Sequence, residues 1–161
     1  MTDQPVLSID NLVVEFETEA GRIRAVDRVG FTLEKGRVLG IAGESGCGKS
    51  VTALSIMRLL PKPVSRIVCG DARFEGQNIF DLPVDDLHRI RGRKIAMIFQ
   101  EPMTALNPVH SIYKQMAEVY QLHFPRMSAA QQKQGVLAML EKVGIPDAER
   151  VIQRYPHQLS G

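Results

Sequence analysis

Apolar and polar positions alternate through the first forty residues. Val14 and Phe16 alternate with the polar Glu15 and Glu17, Ile23, Ala25 and Val26 resume the pattern after Ala20-Gly21, and Val29, Phe31 and Leu33 alternate with Gly30 and Thr32. A period of two marks half-buried strands separated by turns, with Glu34-Lys35-Gly36 as the next turn. Val38-Leu39-Gly40-Ile41-Ala42 is continuously apolar, which predicts a strand buried on both faces. Ser50 to Leu60 predicts a helix stopped by Pro61 and Pro63. Residues 70–80 predict a strand that turns at Gly76-Gln77; Val84, Leu87 and Ile90 have helical spacing; Ile95–Phe99 is a second short apolar strand. Beyond Pro102 the period becomes helical. Ile112, Met116, Val119, Tyr120 and His123 share one face, and Ser128 with Gln131 has the form of a capping box. The helix it opens carries Val136, Leu137, Leu140 and Val143, and after Pro146-Asp147 a shorter one carries Val151, Ile152 and Tyr155. A β-rich part with one helix thus precedes a helical part, without internal repeats.

Composition adds mainly exclusions. The 161 residues suit about one domain at ~100–200 residues each, and 44% hydrophobic with 24% charged residues excludes a disordered or collagen-like chain. Twenty Lys and Arg against 18 Asp and Glu leave a net charge of +2, no bulk drive toward nucleic acid. Cys47 and Cys69 are too few for a disulfide framework and have no zinc-site spacing, which fits a reducing compartment. Met1-Thr2-Asp3-Gln4-Pro5 lacks the basic and apolar regions of a signal peptide. No apolar run approaches the ~18 residues of a membrane span, so a membrane role is expected to come through partners.

The chemistry concentrates at Gly43-Glu44-Ser45-Gly46-Cys47-Gly48-Lys49-Ser50, which fits G-x-x-x-x-G-K-[ST] at every fixed position between a predicted buried strand and a predicted helix. Glycines open backbone conformations closed to other residues and allow close approach to phosphates. Successive N–H groups form an anion nest, and the helix N-terminus adds its positive end. Lys49 is expected to reach the β- and γ-phosphates, Ser50 to coordinate Mg2+, and Val51 to close the nucleotide-binding run. Cys47 occupies a variable position. It is either a small filler or a thiol beside Lys49 whose alkylation blocks nucleotide.

Other stretches choose among P-loop proteins. Gly40 to Ser50, Met97-Ile98-Phe99-Gln100-Glu101-Pro102-Met103-Thr104-Ala105-Leu106-Asn107-Pro108 and Tyr155-Pro156-His157-Gln158-Leu159-Ser160-Gly161 stand in the order and separation of the ATP-binding cassette (ABC) family. From about residue 7 onward the chain resembles the ATPase subunits of oligopeptide and dipeptide importers, the branch that also takes glutathione or nickel. The resemblance implies an α/β P-loop nucleotide-binding domain with an N-terminal antiparallel β part, a P-loop core and an α-helical subdomain. The expected division is residues 1–101 for the core and 102–161 for the helical subdomain. The second stretch resembles the Q-loop, whose Gln100 would give its amide oxygen to Mg2+ and help place water. An uncharged ligand binds that ion weakly enough to release it, while the plain alternative is a polar residue at a strand end. An apolar run ending in a carboxylate would be a Walker B strand, but Ile95–Phe99 ends in Gln100, with Glu101 one place late. The third stretch resembles the start of the L-S-G-G-Q signature, so Leu159, Ser160 and Gly161 would face the ATP held by a partner domain. His157 reads as structural, because the family's catalytic histidine lies far downstream. Phe16 falls where the family keeps an aromatic that stacks on adenine; a core strand aromatic weighs equally.

The resemblance implies two nucleotide-binding domains beneath transmembrane permease subunits, closing on two ATP molecules and reopening on hydrolysis. A peptide-binding protein would take part indirectly, no nucleic acid would be bound, and the protein would sit peripherally on the cytoplasmic face of the inner membrane. The helical part, 109–157, would carry the coupling surface, with Tyr113 and Met116 either in it or in the core. The sequence stops before any Walker B aspartate or catalytic glutamate, so the chain by itself is expected to be inactive while the parent protein is an ATPase. A soluble ABC-type ATPase acting on ribosomes or DNA, or a non-catalytic fragment, are the alternative readings.

Overall fold

The computed structural model describes residues 4–101 and 105–159. The chain separates into two compact units, Met1–His88 and Arg89–Gly161. The first is built on an antiparallel sheet of β1 (Leu7–Thr18), β2 (Gly21–Leu33), β3 (Ser65–Phe74) and β4 (Gln77–Asn78) in the order β2-β1-β3-β4. β1 is therefore paired on both edges. Its apolar set changes phase between Ile9 and Leu12, and the pairing shows why: both ladders shift register there, and Asn11 takes φ 49°. A bulge of this kind turns the succeeding residues to the other face. Around it Ile9, Leu12, Val13 and Val14 are all buried. Opposite the bulge lies Gly70 at φ 102°, where a Cβ would stand 2.6 Å from the Asn11 carbonyl oxygen and from the Leu12 Cα.

The strand predicted over 70–80 begins earlier, at Ser65, and the turn falls at Glu75-Gly76, both at positive φ. The Asn78 side chain organises the chain beyond the turn: its oxygen accepts from the Phe80 and Ala72 N–H groups, and its amide donates to Asp71 and Asp81. A 3-10 turn (Ile79–Asp81) leads to α2 (Val84–Ile90). Helix α1 (Lys49–Ile56) is shorter than predicted. Arg58 goes left-handed at φ 50° and turns its guanidinium onto the Ile79 and Leu82 carbonyl oxygens at 3.3 and 2.5 Å. That tertiary contact ends the helix before the prolines do.

The apolar stretches 38–42 and 95–99 differ most from expectation. Neither forms a ladder; Ile95 makes only an isolated bridge with Arg91. Val38 is 98% exposed and Ile98 91%. A strand buried on both faces needs hydrogen-bonded neighbours, and among the described residues none lies beside either stretch.

The second unit holds α3 (Ile112–His123), α4 (Ala129–Lys142), α5 (Ala148–Val151) and a 3-10 turn (Pro156–Gln158). The expected capping box is present: Ser128 N–H donates to Gln131 Oε1 at 2.8 Å, and Gln131 N–H to Ser128 Oγ at 3.3 Å. Val136, Leu140, Ala148, Val151 and Ile152 form the core, with Tyr113, Met116, Tyr120, Leu137 and Leu159 packed against it. Tyr113 and Met116 thus contribute to packing. Val119 and Val143, expected on the apolar faces, are 50% and 66% exposed, and Tyr155 lies outside the short helix. Gly135 explains itself in mid-helix, because a Cβ there would stand 2.7 Å from the Tyr120 ring. The N–H groups of Ile112 and Tyr113 donate to Arg154 and Ile152 carbonyls at 2.8 and 2.9 Å. Gln115 holds the preceding loop, accepting from Asn107 N–H and donating to the Asn107 and His110 carbonyls.

These contacts set two expectations for stability. Gly70→Ala is expected to lower unfolding free energy by about 2 kcal/mol or more, combining a left-handed backbone with backbone overlap; chemical denaturation checks it. Glu15 is held below the usual carboxylate range by a hydrogen bond from Arg66, opposed by desolvation, with Arg24 adding to the depression. Its stabilisation is present above the ordinary carboxylate pKa and disappears as pH falls through the lower folded value. The stability gap between wild type and Glu15→Gln should therefore be fully open above the ordinary carboxylate range and close as pH falls below it, as read from denaturant midpoints at stepped pH.

Candidate functional site

The glycine-rich loop comes directly after residues 38–42 and ends where α1 begins at Lys49. Gly46 and Gly48 take φ 81° and 92°, values that side chains resist. Gly48 has a second reason to lack one: a Cβ there would overlap the Ala25 carbonyl oxygen of β2 and reach Val26 at 3.3 Å. The loop is thereby seated directly on the sheet. Behind it, Thr52 donates twice to the Gly48 carbonyl, from N–H at 2.8 Å and from Oγ1 at 2.9 Å.

Lys49 folds back over the loop. Its Nζ donates to the Gly43 and Glu44 carbonyl oxygens at 2.7 and 2.6 Å and lies 3.4 Å from Cys47 Sγ. The ammonium therefore caps the ring of peptides at 43–48. Because α1 opens at Lys49, the N–H groups of Lys49, Ser50 and Val51 have no intrahelical acceptor. Ser45 and Ser50 are exposed, as is Cys47, a free thiol. Positive charge, a hydroxyl and unsatisfied N–H donors meet at one helix end. That donor set fits a polyphosphate. Among the described residues no group of three His, Cys, Asp or Glu could hold a metal. The Ser50 hydroxyl therefore suits Mg2+ only as one ligand beside phosphate oxygens, the usual habit of that ion.

Phe16 lies in the same unit, partly buried on β1 between Ile23 of β2 and Ser65 of β3. Gln100 is exposed at a bend and belongs to the second unit. Leu159 packs against the helical core, while Ser160 and Gly161 lie outside the described residues. The segment before them is tied locally: Tyr155 N–H donates to Gln158 Oε1 at 2.9 Å, and the Tyr155 and His157 rings stack at 5.9 Å. The sequence pattern gives no notice of Ala25 and Thr52, the two residues that seat the loop. Ala25 looks like an ordinary strand position, and only the odd spacing from Ile23 to Val26 hints at its irregularity.

The family described as ABC transporter matches residues 26–161. The dipeptide transport ATP-binding protein DppD of Lactococcus lactis is 47% identical over 100% of this chain and 46% of its own length. The peptidoglycan transport ATP-binding protein YejF of Agrobacterium fabrum is 45% identical over 98% of this chain and 29% of its own. The chain thus spans less than half the length of these curated relatives. The dimeric structure of MJ0796, a bacterial ABC transporter cassette, superposes with a TM-score of 0.80 at 24% identity, covering 96% of this chain and 63% of that one. A post-hydrolysis dimer of the same cassette bound to ADP and Pi gives 0.77 at 21% identity over the same shares. These likenesses agree with the α/β cassette fold expected from the motifs. With a glycine loop capped by its lysine, and a family match over most of its length, the chain belongs to the ABC transporter family.

Proposed function

We propose that this chain is the nucleotide-binding part of an ABC importer ATPase, which couples binding and hydrolysis of Mg2+·ATP to uptake of di- or oligopeptides or glutathione. The observation that carries the reading is Lys49 Nζ poised on the Gly43 and Glu44 carbonyls at the start of α1. When a triphosphate is bound, it supplies the γ-phosphoryl group whose transfer to water drives the cycle. Lys49 leaves its carbonyls to meet the β- and γ-oxygens, while the N–H groups of residues 45–50 hold the remaining charge. Ser50 would hold the magnesium, Gln100 would sense it and orient water, and Phe16 would offer its ring to the base. Leu159, Ser160 and Gly161 serve the nucleotide of a second ABC ATPase domain. The functional division lies at 101/102, after the Gln100 loop.

The names of the relatives support the transport reading and bear on cargo: one is named for dipeptides, the other for peptidoglycan. Cargo is therefore chosen by other subunits, the transmembrane permeases and an external binding protein. No helix among the described residues is long and apolar enough to cross a membrane. The proposed place is peripheral, on the cytoplasmic face of the inner membrane beneath the permeases.

Lys49→Ala in the full-length protein is expected to weaken Mg2+·ATP binding roughly a hundredfold, the scale of removing one partner from a desolvated charge pair. Unchanged affinity by titration calorimetry would overturn the reading. Residues 1–161 alone are expected to release no measurable phosphate from ATP, since no Walker B aspartate or catalytic glutamate is assigned among the described residues. Lys49-dependent turnover by that chain would sink this expectation.

A further inference from the structure

Between Val14 and Glu15 the β1–β2 register shifts: Val14 pairs with Val26 but Glu15 pairs with Arg24, so Ala25 is an extra residue on β2. This bulge is the place where the phosphate loop leans on the sheet, because the Ala25 carbonyl oxygen abuts Gly48. On the other edge the pairing is regular, Val14 with Ile67, Glu15 with Arg66 and Phe16 with Ser65. The bulge therefore lies at the junction between the loop's seat and the strand end that carries Phe16.

A charge cluster spans this junction. Glu15 has a side chain only 13% exposed; its Oε2 accepts from Arg66 Nη2 at 2.7 Å and its Oε1 from Arg24 Nη2 at 3.3 Å. Arg24 also donates through Nη1 to Asp27 Oδ1 at 3.1 Å. Arg24 thus straddles the bulge, joined to β1 through Glu15 and to β2 beyond the bulge through Asp27. Glu15 joins all three strands in one layer. Bulges are conserved devices for re-aiming side chains, and a pinned bulge fixes the offset between what stands on either side of it.

We propose that Glu15 is a positioning residue for nucleotide: through Arg24 and Arg66 it fixes the offset between the phosphate loop, seated at Ala25, and the ring of Phe16. The idea rests on the nucleotide reading above and deepens it. Glu15 touches neither base nor phosphate. Its loss should uncouple the two, so that base recognition suffers and phosphate recognition does not.

The test compares a non-hydrolysable ATP analogue with inorganic tripolyphosphate, which has no base, in the full-length protein with Mg2+. Glu15→Gln is expected to weaken the analogue about tenfold, the scale of a lost aromatic stack, and to leave tripolyphosphate within about twofold. In a Phe16→Ala background the same substitution should change neither ligand. Equal losses for both ligands, losses additive with Phe16→Ala, or no loss of the analogue would each overturn the proposal. Arg66→Gln, read with the same two ligands, decides the matter if Glu15→Gln does not fold by thermal melting. Lys49→Ala separates the two ideas: tripolyphosphate binding that survives it refutes the phosphate reading itself, whereas a failed ratio test alongside a Lys49 requirement refutes only the role of Glu15.

Discussion

A single strand hydrogen-bonded on both edges organises the first unit. β1 sets the register of β2 and β3 at once, so each irregularity in it is transmitted to both neighbours. The Asn11 bulge demands a glycine at position 70, and the Ala25 bulge supplies the carbonyl against which Gly48 lies. The phosphate loop therefore does not hang from the sheet by its chain connection alone. It is pressed onto it at a position where only a glycine fits, and Thr52 fastens the same Gly48 carbonyl from the helix side. A loop held in this way enters binding already shaped, which lowers the ordering cost that a ligand must otherwise offset.

The second unit solves a different problem with a similar economy. α5 has only four residues, too few to be stable by propagation. It persists because Val151 and Ile152 are buried against α4 and because the first two N–H groups of α3 find their acceptors at Ile152 and Arg154. Those N–H groups would otherwise be orphans at a helix start. Gln115 then ties the loop at 107–110 to α3 through both ends of its amide, so the segment entering the helical bundle is ordered by a residue inside it.

Legibility in the sequence tracks the reach of each interaction. The capping box at Ser128 and Gln131 and the glycine loop are local patterns, and each appears in the expected place; the alternation in β1 and β2 locates the strands but not the bulges that shift its phase, and Ile23 is exposed. The boundaries that differ from expectation depend on distant partners. α1 stops at Ile56 because Arg58 finds carbonyls more than twenty residues away. Val119 and Val143 satisfy helical periodicity yet face outward, since which stripe is buried depends on what the helix packs against. The stretches 38–42 and 95–99 carry unmistakable strand composition, but composition cannot supply a neighbouring strand. At the site, the motif named its own residues and was silent about Ala25, whose contribution is a backbone carbonyl.

The bare stretches at 38–42 and 95–99 have a colloidal consequence. Exposed apolar backbone outside any ladder is a template for a complementary strand. In a concentrated solution of these 161 residues the most abundant complementary strand belongs to another molecule of the same kind. Solubility would then fail before the fold does, through edge-to-edge association of these stretches, and a holdase chaperone would find its binding segments in them.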